Sequence, residues 1–263
     1  MTYSYCFIIF IFIIFIYIIF NFKYTCHTLY NIFLRKKNVK IYEVIYSMKY
    51  TNININNIPN ILKEHISIYN INDNINITDK NELISKILYT VDDKKFQTKN
   101  INVIDYFDFK TRYAYLPHTD IEWNLIENDG YQVWFLVKNK NENNLGNMFI
   151  VYNNYIFNKY KNISYTIRCR NNKIEVCKNC KYESNSLILE TFSIDWFKNN
   201  TQLFYLDFNE GDFLIFNKNI CHMSDIRGNK MRHSINFRVV VNNIIYNNDN
   251  CGFIVDKNPV FKQ

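Results

Sequence analysis

Short runs of β-branched and aromatic residues, separated by turn signals, fill the chain from about residue 101 onward. The runs cover residues 131–137, 147–152, 163–168, 173–177, 203–208, 213–216 and 234–241. Many short strands at roughly regular spacing, with little helix among them, are typical of a β-sandwich or a small β-barrel. Such a fold encloses a site at its mouth, where loops and strand ends bring distant residues together. The sequence therefore predicts a mainly β fold.

The region before these strands mixes helix and strand signals. The segment from Asp79 to Leu88 predicts a helix, with Asp79 as its N-cap and Glu82 in the first turn. An Asn-rich run over residues 52–76 is interleaved with isoleucine, so we do not expect it to be disordered. The β fold is therefore expected to carry flanking helices.

The N-terminus carries a long apolar segment. Residues 6–20 are uniformly apolar, and the uncharged stretch reaches about twenty residues, enough for a helix to cross a bilayer. A cleaved secretory signal is the alternative, but the segment lacks a basic start and a small-x-small cleavage site. Basic residues follow the segment, at Lys23, Arg35, Lys36, Lys37 and Lys40. The positive-inside rule then predicts a single-pass anchor over residues 1–22 with the body of the protein facing the cytoplasm.

Charge and cysteine usage argue against two other classes of function. The net charge of +7 is not collected into one basic stripe, so we expect no nucleic-acid partner. Cys177 and Cys180 have half of a zinc-ribbon spacing, and Cys169 could add a third ligand. No second CxxC or nearby histidine completes a tetrahedral site. These cysteines are therefore interpreted as ordinary thiols, or at most as a local disulfide.

Two histidines and one carboxylate stand in an order that suits a metal site. His118 and Asp120 are two residues apart, so on an extended segment their side chains face the same way. His222 follows about a hundred residues later, after a tight turn and a buried-looking strand. This is the ligand set of the facial triad that binds non-haem Fe(II) and leaves coordination positions open. The alternatives are a surface His-Asp hydrogen bond and a core histidine at position 222.

An arginine and a serine soon after His222 suit a dicarboxylate. A guanidinium can grip a carboxylate through two parallel hydrogen bonds, and a hydroxyl two residues on adds a third. On a strand, Arg232 and Ser234 share one face while His233 takes the other, which favours His222 over His233 as the metal ligand. Arg238 shares the face of Arg232 and is the second candidate for the carboxylate. An exposed salt bridge is the alternative for Arg232.

In these residues the sequence resembles the Fe(II)/2-oxoglutarate-dependent dioxygenases, and specifically their phytanoyl-CoA dioxygenase-like branch. The matching residues are 118–120, 129–134, 211–212, 222–224 and 232. The resemblance implies a double-stranded β-helix, or jelly roll, with Fe(II) at His118, Asp120 and His222. It also implies 2-oxoglutarate held by Arg232 with Ser234. One segment departs from the branch pattern, which usually has an asparagine soon after its His-x-Ser motif. At that place this chain has the sequence Asp225-Ile226-Arg227-Gly228-Asn229.

The sequence features together predict a domain organisation, and the resemblance, which covers about residues 100–242, implies a reaction. Residues 1–22 form the anchor, 23–50 a basic juxtamembrane segment, 51–245 the dioxygenase domain with its core at about 100–242, and 246–263 a tail. The implied reaction consumes 2-oxoglutarate and O2, releases succinate and CO2, and hydroxylates a substrate C–H bond. Related halogenases have a small residue in place of the metal-binding carboxylate, so Asp120 favours hydroxylation.

Other residues are weaker candidates for the site. Gln132 and Trp134 lie two apart on one strand and could line the substrate pocket, although core packing is an equal interpretation of Trp134. Tyr113 and Tyr115 precede the ligand pair, and Tyr115 is the candidate for a hydrogen bond to the keto acid. The sequence does not decide whether the substrate is a small molecule or a lipid. The apolar N-terminal segment favours a lipid or membrane-proximal target.

Two non-enzymatic functions compete with an oxygenase. One is a non-catalytic jelly-roll binding module, and the other is a membrane-anchored structural protein in which the histidines and the aspartate are incidental. A decayed enzyme would be expected to lose the triad or the Arg-x-Ser pair first, so their joint presence counts against the non-catalytic binding module. Iron content and 2-oxoglutarate-dependent succinate release would separate the three. The sequence does not indicate an oligomeric state.

Overall fold

The computed structural model describes residues 40–71, 79–91, 101–109, 115–120, 129–178, 187–228 and 230–241. These residues all belong to a compact unit, Lys40–Gln263, and a second unit, Met1–Val39, lies outside them. The predicted anchor, most of the predicted juxtamembrane segment and the predicted tail are therefore also outside the described residues. Across the described ranges, none of the helices has the length and apolar character that a membrane crossing requires.

The described residues form a mainly β structure with a few short helices. The strands are β1 Tyr50–Ile53, β2 Ile66–Asn70, β3 Ile101–Phe109, β4 Asp129–Asn139, β5 Met148–Asn153, β6 Tyr165–Arg170, β7 Lys173–Lys178, β8 Leu187–Ser193, β9 Thr201–Leu206, β10 Asp212–Asn217, β11 His222–Ser224 and β12 Arg232–Val241. The α-helices are α1 Lys80–Thr90, α2 Asn154–Lys159 and α3 Ile194–Asn200, residues 40–46 are also helical, and 3-10 turns lie at Asn60–Leu62 and Glu142–Asn144.

The strands are arranged in three sheets. The large sheet has the order β2-β10-β4-β12-β3, the second has the order β1-β9-β5-β11, and the third has the order β6-β7-β8. Apart from the parallel pair β1–β9, neighbouring strands are antiparallel. His118 forms isolated bridges both to His222 on β11 and to Thr166 on β6, so its segment joins the second and third sheets. This arrangement is consistent with the jelly-roll-like fold that the sequence predicts.

The large and second sheets pack face to face around an apolar interior. Trp134, Leu214 and Phe216 from the large sheet pack with Ile150 and Phe204 from the second sheet in one buried cluster. The outer face of the large sheet packs against helix α1, and the outer face of the second sheet packs against the helical residues 40–46 and the segment around β6 and β7. Polar side chains on the interior faces are therefore removed from solvent by two layers of structure.

Helix α1 confirms the predicted helix and its cap. The Asp79 carboxylate accepts hydrogen bonds from the backbone N–H groups of Asn81 and Glu82. Four apolar residues at helical spacing face the large sheet: Leu83, Ile84, Ile87 and Leu88. The N-cap and the apolar stripe are both local features of the sequence, which explains why this helix could be predicted.

The turn before β10 requires a glycine. Gly211 has φ +93°, and a Cβ at this position would lie 2.7 Å from the carbonyl oxygen of Ile71. The turn lets Asp212 begin β10, where its carboxylate accepts hydrogen bonds from the Asn70 side chain at 2.6 Å and the Asn209 N–H at 2.7 Å. Gly211 therefore fixes the start of the strand that leads to His222.

Candidate metal centre

The backbone around His118 behaves as a short strand between β11 and β6. His118 and His222 exchange two backbone hydrogen bonds, of 3.0 and 2.9 Å. On the other side, Thr119 N–H donates to the Tyr165 carbonyl at 3.0 Å, and His118 is paired with Thr166. The expected extended segment at His118 is thus present, and it places the two histidines directly opposite each other.

His118, Asp120 and His222 converge in the interior. The Asp120 carboxylate lies 3.3 Å from His222 Nε2 through Oδ2 and 3.7 Å from His118 Nε2 through Oδ1. One donor atom from each of the three residues lies within 4.8 Å of the others, and all three side chains are buried. They form the one group of three or more potential metal ligands found among the described residues. The structure therefore brings the predicted ligand set together.

Backbone carbonyls fix which ring nitrogen of each histidine faces the cluster. His118 Nδ1 lies 2.6 Å from the Leu116 carbonyl oxygen, and His222 Nδ1 lies 3.1 Å from that of Ile220. A carbonyl oxygen only accepts, so a neutral ring must carry its proton on Nδ1. Nε2 is then the unprotonated nitrogen of each ring, and it is the ring atom that lies within 3.7 Å of the Asp120 carboxylate. This is the outer-shell arrangement that orients histidines for a metal.

A buried arginine contacts the carboxylate of the cluster. Arg238 Nη2 donates to Asp120 Oδ1 at 3.1 Å, and both side chains are buried. Arg238 stands opposite Gln132 of the neighbouring strand β4. Arg238 therefore lies beside the predicted metal ligands, which the strand alternation alone did not indicate.

Arg232 lies on the same face of β12 with different partners. Its Nη1 donates to the carbonyl oxygens of Gly146 at 2.5 Å and Asn147 at 3.0 Å, and its guanidinium carbon lies 5.4 Å from the centre of the Trp134 ring. Arg232 is 3% exposed, which excludes the exposed salt bridge considered from the sequence. Trp134 also packs against Phe208, so it is both a core residue and a neighbour of Arg232.

Several polar atoms near Arg232 and Arg238 are buried without a hydrogen-bond partner. Ser234 Oγ, Asn236 Oδ1 and Gln132 Oε1 make no hydrogen bond to any residue that the structure describes. Ser234 and Asn236 alternate with buried core residues such as Ile235, so they face the interior with the two arginines. Leaving a buried polar group unpaired costs about 1–3 kcal/mol, so a polar ligand is the expected partner.

Asp225 is a buried carboxylate that the sequence analysis did not place in the site. It accepts hydrogen bonds from the hydroxyls of Tyr46 and Tyr205, the N–H of Gly146 and the guanidinium of Arg227. Burial raises the pKa of Asp225, but the hydrogen bonds from Arg227 and Gly146 outweigh burial and hold the pKa below its usual range. Burial is the main cause that raises the pKa of Tyr46 and Tyr205, and the negative charge of Asp225 is the second. Both hydroxyls therefore stay protonated and can donate hydrogen bonds.

Asp225 positions the groups that hold Arg232. Its carboxylate accepts from Gly146 N–H at 2.9 Å, and its own N–H donates to the Asn147 carbonyl at 3.0 Å. The carbonyls of Gly146 and Asn147 are the acceptors for Arg232. The departure from the asparagine of the phytanoyl-CoA pattern was the only sequence signal at Asp225, and it gave no indication of these contacts.

The remaining candidates are only partly placed in the site. His233 Nε2 lies 2.6 Å from Asp108 Oδ1, so His233 points away from the cluster as predicted. The Tyr115 ring lies 5.6 Å from the His118 ring, and Tyr113 is outside the described residues. Cys169 and Cys177 are free thiols that join no metal-ligand group within the described ranges, while Cys180 lies outside them.

Comparisons with known proteins give remote structural likenesses. No family model matches the chain, and no curated protein matches its sequence. Among solved structures, a variant of the iron and alpha-ketoglutarate-dependent endoperoxidase NvfI is 11% identical, with a TM-score of 0.41 over 68% of this chain and 77% of that one. PvcB from Pseudomonas aeruginosa is 9% identical, with a TM-score of 0.38 over 72% of this chain and 82% of that one. The interpretation of the site therefore depends on the geometry of this chain's own residues.

Proposed function

We propose that this chain is an Fe(II)- and 2-oxoglutarate-dependent dioxygenase that hydroxylates a C–H bond of its substrate. The observation that carries the proposal is the buried cluster of His118, Asp120 and His222, with both histidine Nε2 atoms directed at the carboxylate. The phytanoyl-CoA dioxygenase-like branch is the finer assignment, and it is supported by the sequence motifs alone. A non-catalytic jelly-roll module is the alternative.

The donor set fits Fe(II). Two neutral imidazole nitrogens and one carboxylate oxygen are the ligands of the facial triad, and they leave positions open for a co-substrate and O2. The Nδ1–H groups of both histidines are held by backbone carbonyls, so the ligand geometry is set before a metal binds. Arg238 holds one oxygen of Asp120 and so orients the carboxylate.

The interior face of β12 fits a dicarboxylate. Arg232 supplies a buried guanidinium, and Ser234 supplies a buried hydroxyl that has no partner in the described structure. When bound, iron and 2-oxoglutarate would couple O2 reduction to decarboxylation, release succinate and CO2, and place one oxygen atom on the substrate carbon. Arg232 and Ser234 would bind and orient the remote carboxylate, and Trp134 would exclude water beside it.

The direct test is reconstitution of the full chain with Fe(II) under anaerobic conditions. We expect stoichiometric iron, and succinate release that depends on both 2-oxoglutarate and O2 and disappears in the His222→Ala variant. Iron binding without any succinate release, with or without candidate substrates, would favour the non-catalytic module. Loss of iron binding in the wild-type protein would refute the metal centre itself.

We also propose, from the sequence pattern, an N-terminal anchor and a cytoplasm-facing catalytic domain. The support is the apolar segment over residues 6–20 and the basic residues that follow it. The partners would then be the membrane and a small-molecule or lipid substrate, with no nucleic acid.

A further inference from the structure

A row of paired residues crosses the second sheet and continues beyond the two histidines. Ile150 is paired with His222, His222 with His118, His118 with Thr166, and Thr166 with Cys177. Residues directly opposite each other in antiparallel strands project to the same face of the sheet. Ile150 faces the interior, so the histidines, Thr166 and Cys177 face it too. Thr166 is thus the first side chain beyond His118, one strand spacing of about 4.8 Å away.

The two faces of β6 differ in polarity. Tyr165 and Ile167 belong to the apolar cluster behind the sheet. Thr166 alternates with them and therefore projects on the side of the histidines. Ser164, the residue before β6, continues this alternation, because Ile163 packs against the same apolar cluster as Tyr165. Further along the same face, Arg168 of β6 stands opposite Glu175 of β7, and the two are ion-paired at 2.6 Å. The wall beyond His118 is thus polar along β6.

The hydroxyls of Ser164 and Thr166 are buried and make no hydrogen bond within the described residues. Ser164 and Thr166 are 7% and 1% exposed, and the Oγ atom of each is buried with no hydrogen bond to any residue in the described ranges. Other buried threonines satisfy their hydroxyls. Thr119 Oγ1 accepts from Tyr165 N–H at 3.1 Å, and Thr201 Oγ1 accepts from the Asn153 side chain at 3.0 Å. Two unused hydroxyls beside a metal centre are expected where a ligand supplies the missing partner.

We infer that Thr166 and Ser164 bind the substrate, and that the substrate carries a hydroxyl, carboxylate or amine next to the C–H bond that reacts. This inference rests on the proposed oxygenase function and assigns a substrate class to the same site. The proposed keto-acid site already has the Arg232 guanidinium and the Ser234 hydroxyl on β12, so the wall formed by β6 and the residue before it is left for the substrate. A bare hydrocarbon chain would leave the hydroxyls of Ser164 and Thr166 unpaired, which disfavours the aliphatic lipid considered from the N-terminal segment.

The first test needs no substrate. Thr166→Val removes a hydroxyl that has no partner, so the melting temperature of the metal-free protein should not fall. Thr201→Val is the matched control, because the hydroxyl of this buried strand threonine does accept a hydrogen bond. The melting temperature of the Thr201→Val variant should fall by about 2–4 °C. An equal drop in the Thr166 variant would show that the hydroxyl serves the fold and would overturn the inference.

The second test uses the iron-loaded full chain with 2-oxoglutarate and two kinds of probe. The polar probes are free L-amino acids, and the apolar probe is n-decane in detergent micelles. We expect a polar probe to stimulate succinate release, Thr166→Val to raise its half-saturating concentration about fivefold, and Thr166→Ser to restore it. Stimulation by the hydrocarbon that is unchanged in Thr166→Val would overturn the inference.

The two tests separate failure of the inference from failure of the proposed function. A wild-type protein that binds no iron would refute the oxygenase, while the melting temperatures would still report whether the Thr166 hydroxyl is unused. If neither probe stimulates succinate release, an equal fall in the melting temperatures of Thr166→Val and Thr201→Val would still overturn the inference.

Discussion

Arg238 Nη2 lies 3.1 Å from Asp120 Oδ1, and both side chains are buried beside His118 and His222. Arg232 is six residues earlier on the same face of β12, which corresponds to roughly 20 Å between the two Cα atoms. The strand thus holds one guanidinium at the proposed metal ligands and a second one at the carbonyls of Gly146 and Asn147. The two arginines should therefore have separable roles.

Arg238 should act on the metal through Asp120. Arg238→Met removes the hydrogen bond that orients the carboxylate, so we expect Fe(II) affinity to fall about 10- to 100-fold. Arg238→Lys should restore part of the affinity, because it keeps a cation near Oδ1. Anaerobic iron titration measures the change. A raised 2-oxoglutarate KM with unchanged iron affinity would instead assign the keto-acid carboxylate to Arg238.

Arg232 should act on 2-oxoglutarate. Losing a charged hydrogen bond costs about 2–3 kcal/mol, so Arg232→Ala should raise the apparent 2-oxoglutarate constant roughly 30- to 150-fold with little change in iron affinity. The variant should also be less stable, because the carbonyl oxygens of Gly146 and Asn147 lose a hydrogen-bond donor. The assay should therefore be run well below the melting temperature of the variant.

Ser234→Ala separates co-substrate binding from stability at the same site. The Ser234 hydroxyl has no partner in the described structure, so its removal should not lower the melting temperature. Its loss should raise the 2-oxoglutarate KM by about fivefold, for a hydrogen bond of about 1 kcal/mol. An unchanged KM would remove Ser234 from the co-substrate site.

Substituting any of the three proposed metal ligands should lower iron affinity far more than substituting His233, a histidine outside the cluster. Changes in outer-shell partners of metal ligands already cost 10- to 100-fold, so His118→Ala, Asp120→Ala and His222→Ala should each lower iron affinity by more than about 100-fold. His233→Ala is the matched control, because His233 contacts Asp108 and lies away from the cluster. Iron retention in His222→Ala together with loss in His233→Ala would reverse the assignment.

Asp225 should contribute stability that depends on pH. Its folded-state pKa is lowered, so the contribution is complete above the pKa of an aspartate in the unfolded chain and is lost as pH falls through the lower folded-state value. Asp225→Asn leaves Arg227 without its charged partner and should cost about 3 kcal/mol at neutral pH. The deficit should shrink in acid, as measured by denaturant unfolding. Glu142→Gln, at an exposed pair with Lys230, should change stability little.

The topology predicted from the N-terminal segment can be tested by glycosylation. Asn162 and Asn199 begin acceptor sequons and are exposed on the described surface, so a lumenal domain would present both to the modifying enzyme. A cytoplasm-facing domain should remain unmodified when the full chain is expressed in eukaryotic cells. Glycan at either asparagine would contradict the orientation derived from the positive charges.

Local sequence patterns explain what could be predicted about the fold. Runs of β-branched and aromatic residues identified five of the nine strands of the two main sheets, and a cap with an apolar stripe identified helix α1. Strand β8 was missed because its residues are mostly exposed or half-buried, as on the unpaired edge of a sheet. Helices α2 and α3 were missed because they span only six and seven residues, too short for a clear helical period. Their caps, Asn153 and Ser193, were the available signals.

The sequence by itself determined which side chains belong together in the candidate site, because side chains two residues apart on a strand share a face. That rule grouped His118 with Asp120 and Arg232 with Ser234, and it favoured His222 over His233 as the metal ligand. Only the tertiary structure placed Arg238 against Asp120, Thr166 beside His118 and Asp225 behind Arg232. These contacts join segments that lie far apart in the chain, and the register between strands decides them. Register depends on how all the strands pack around one core, and no local pattern in the sequence records it.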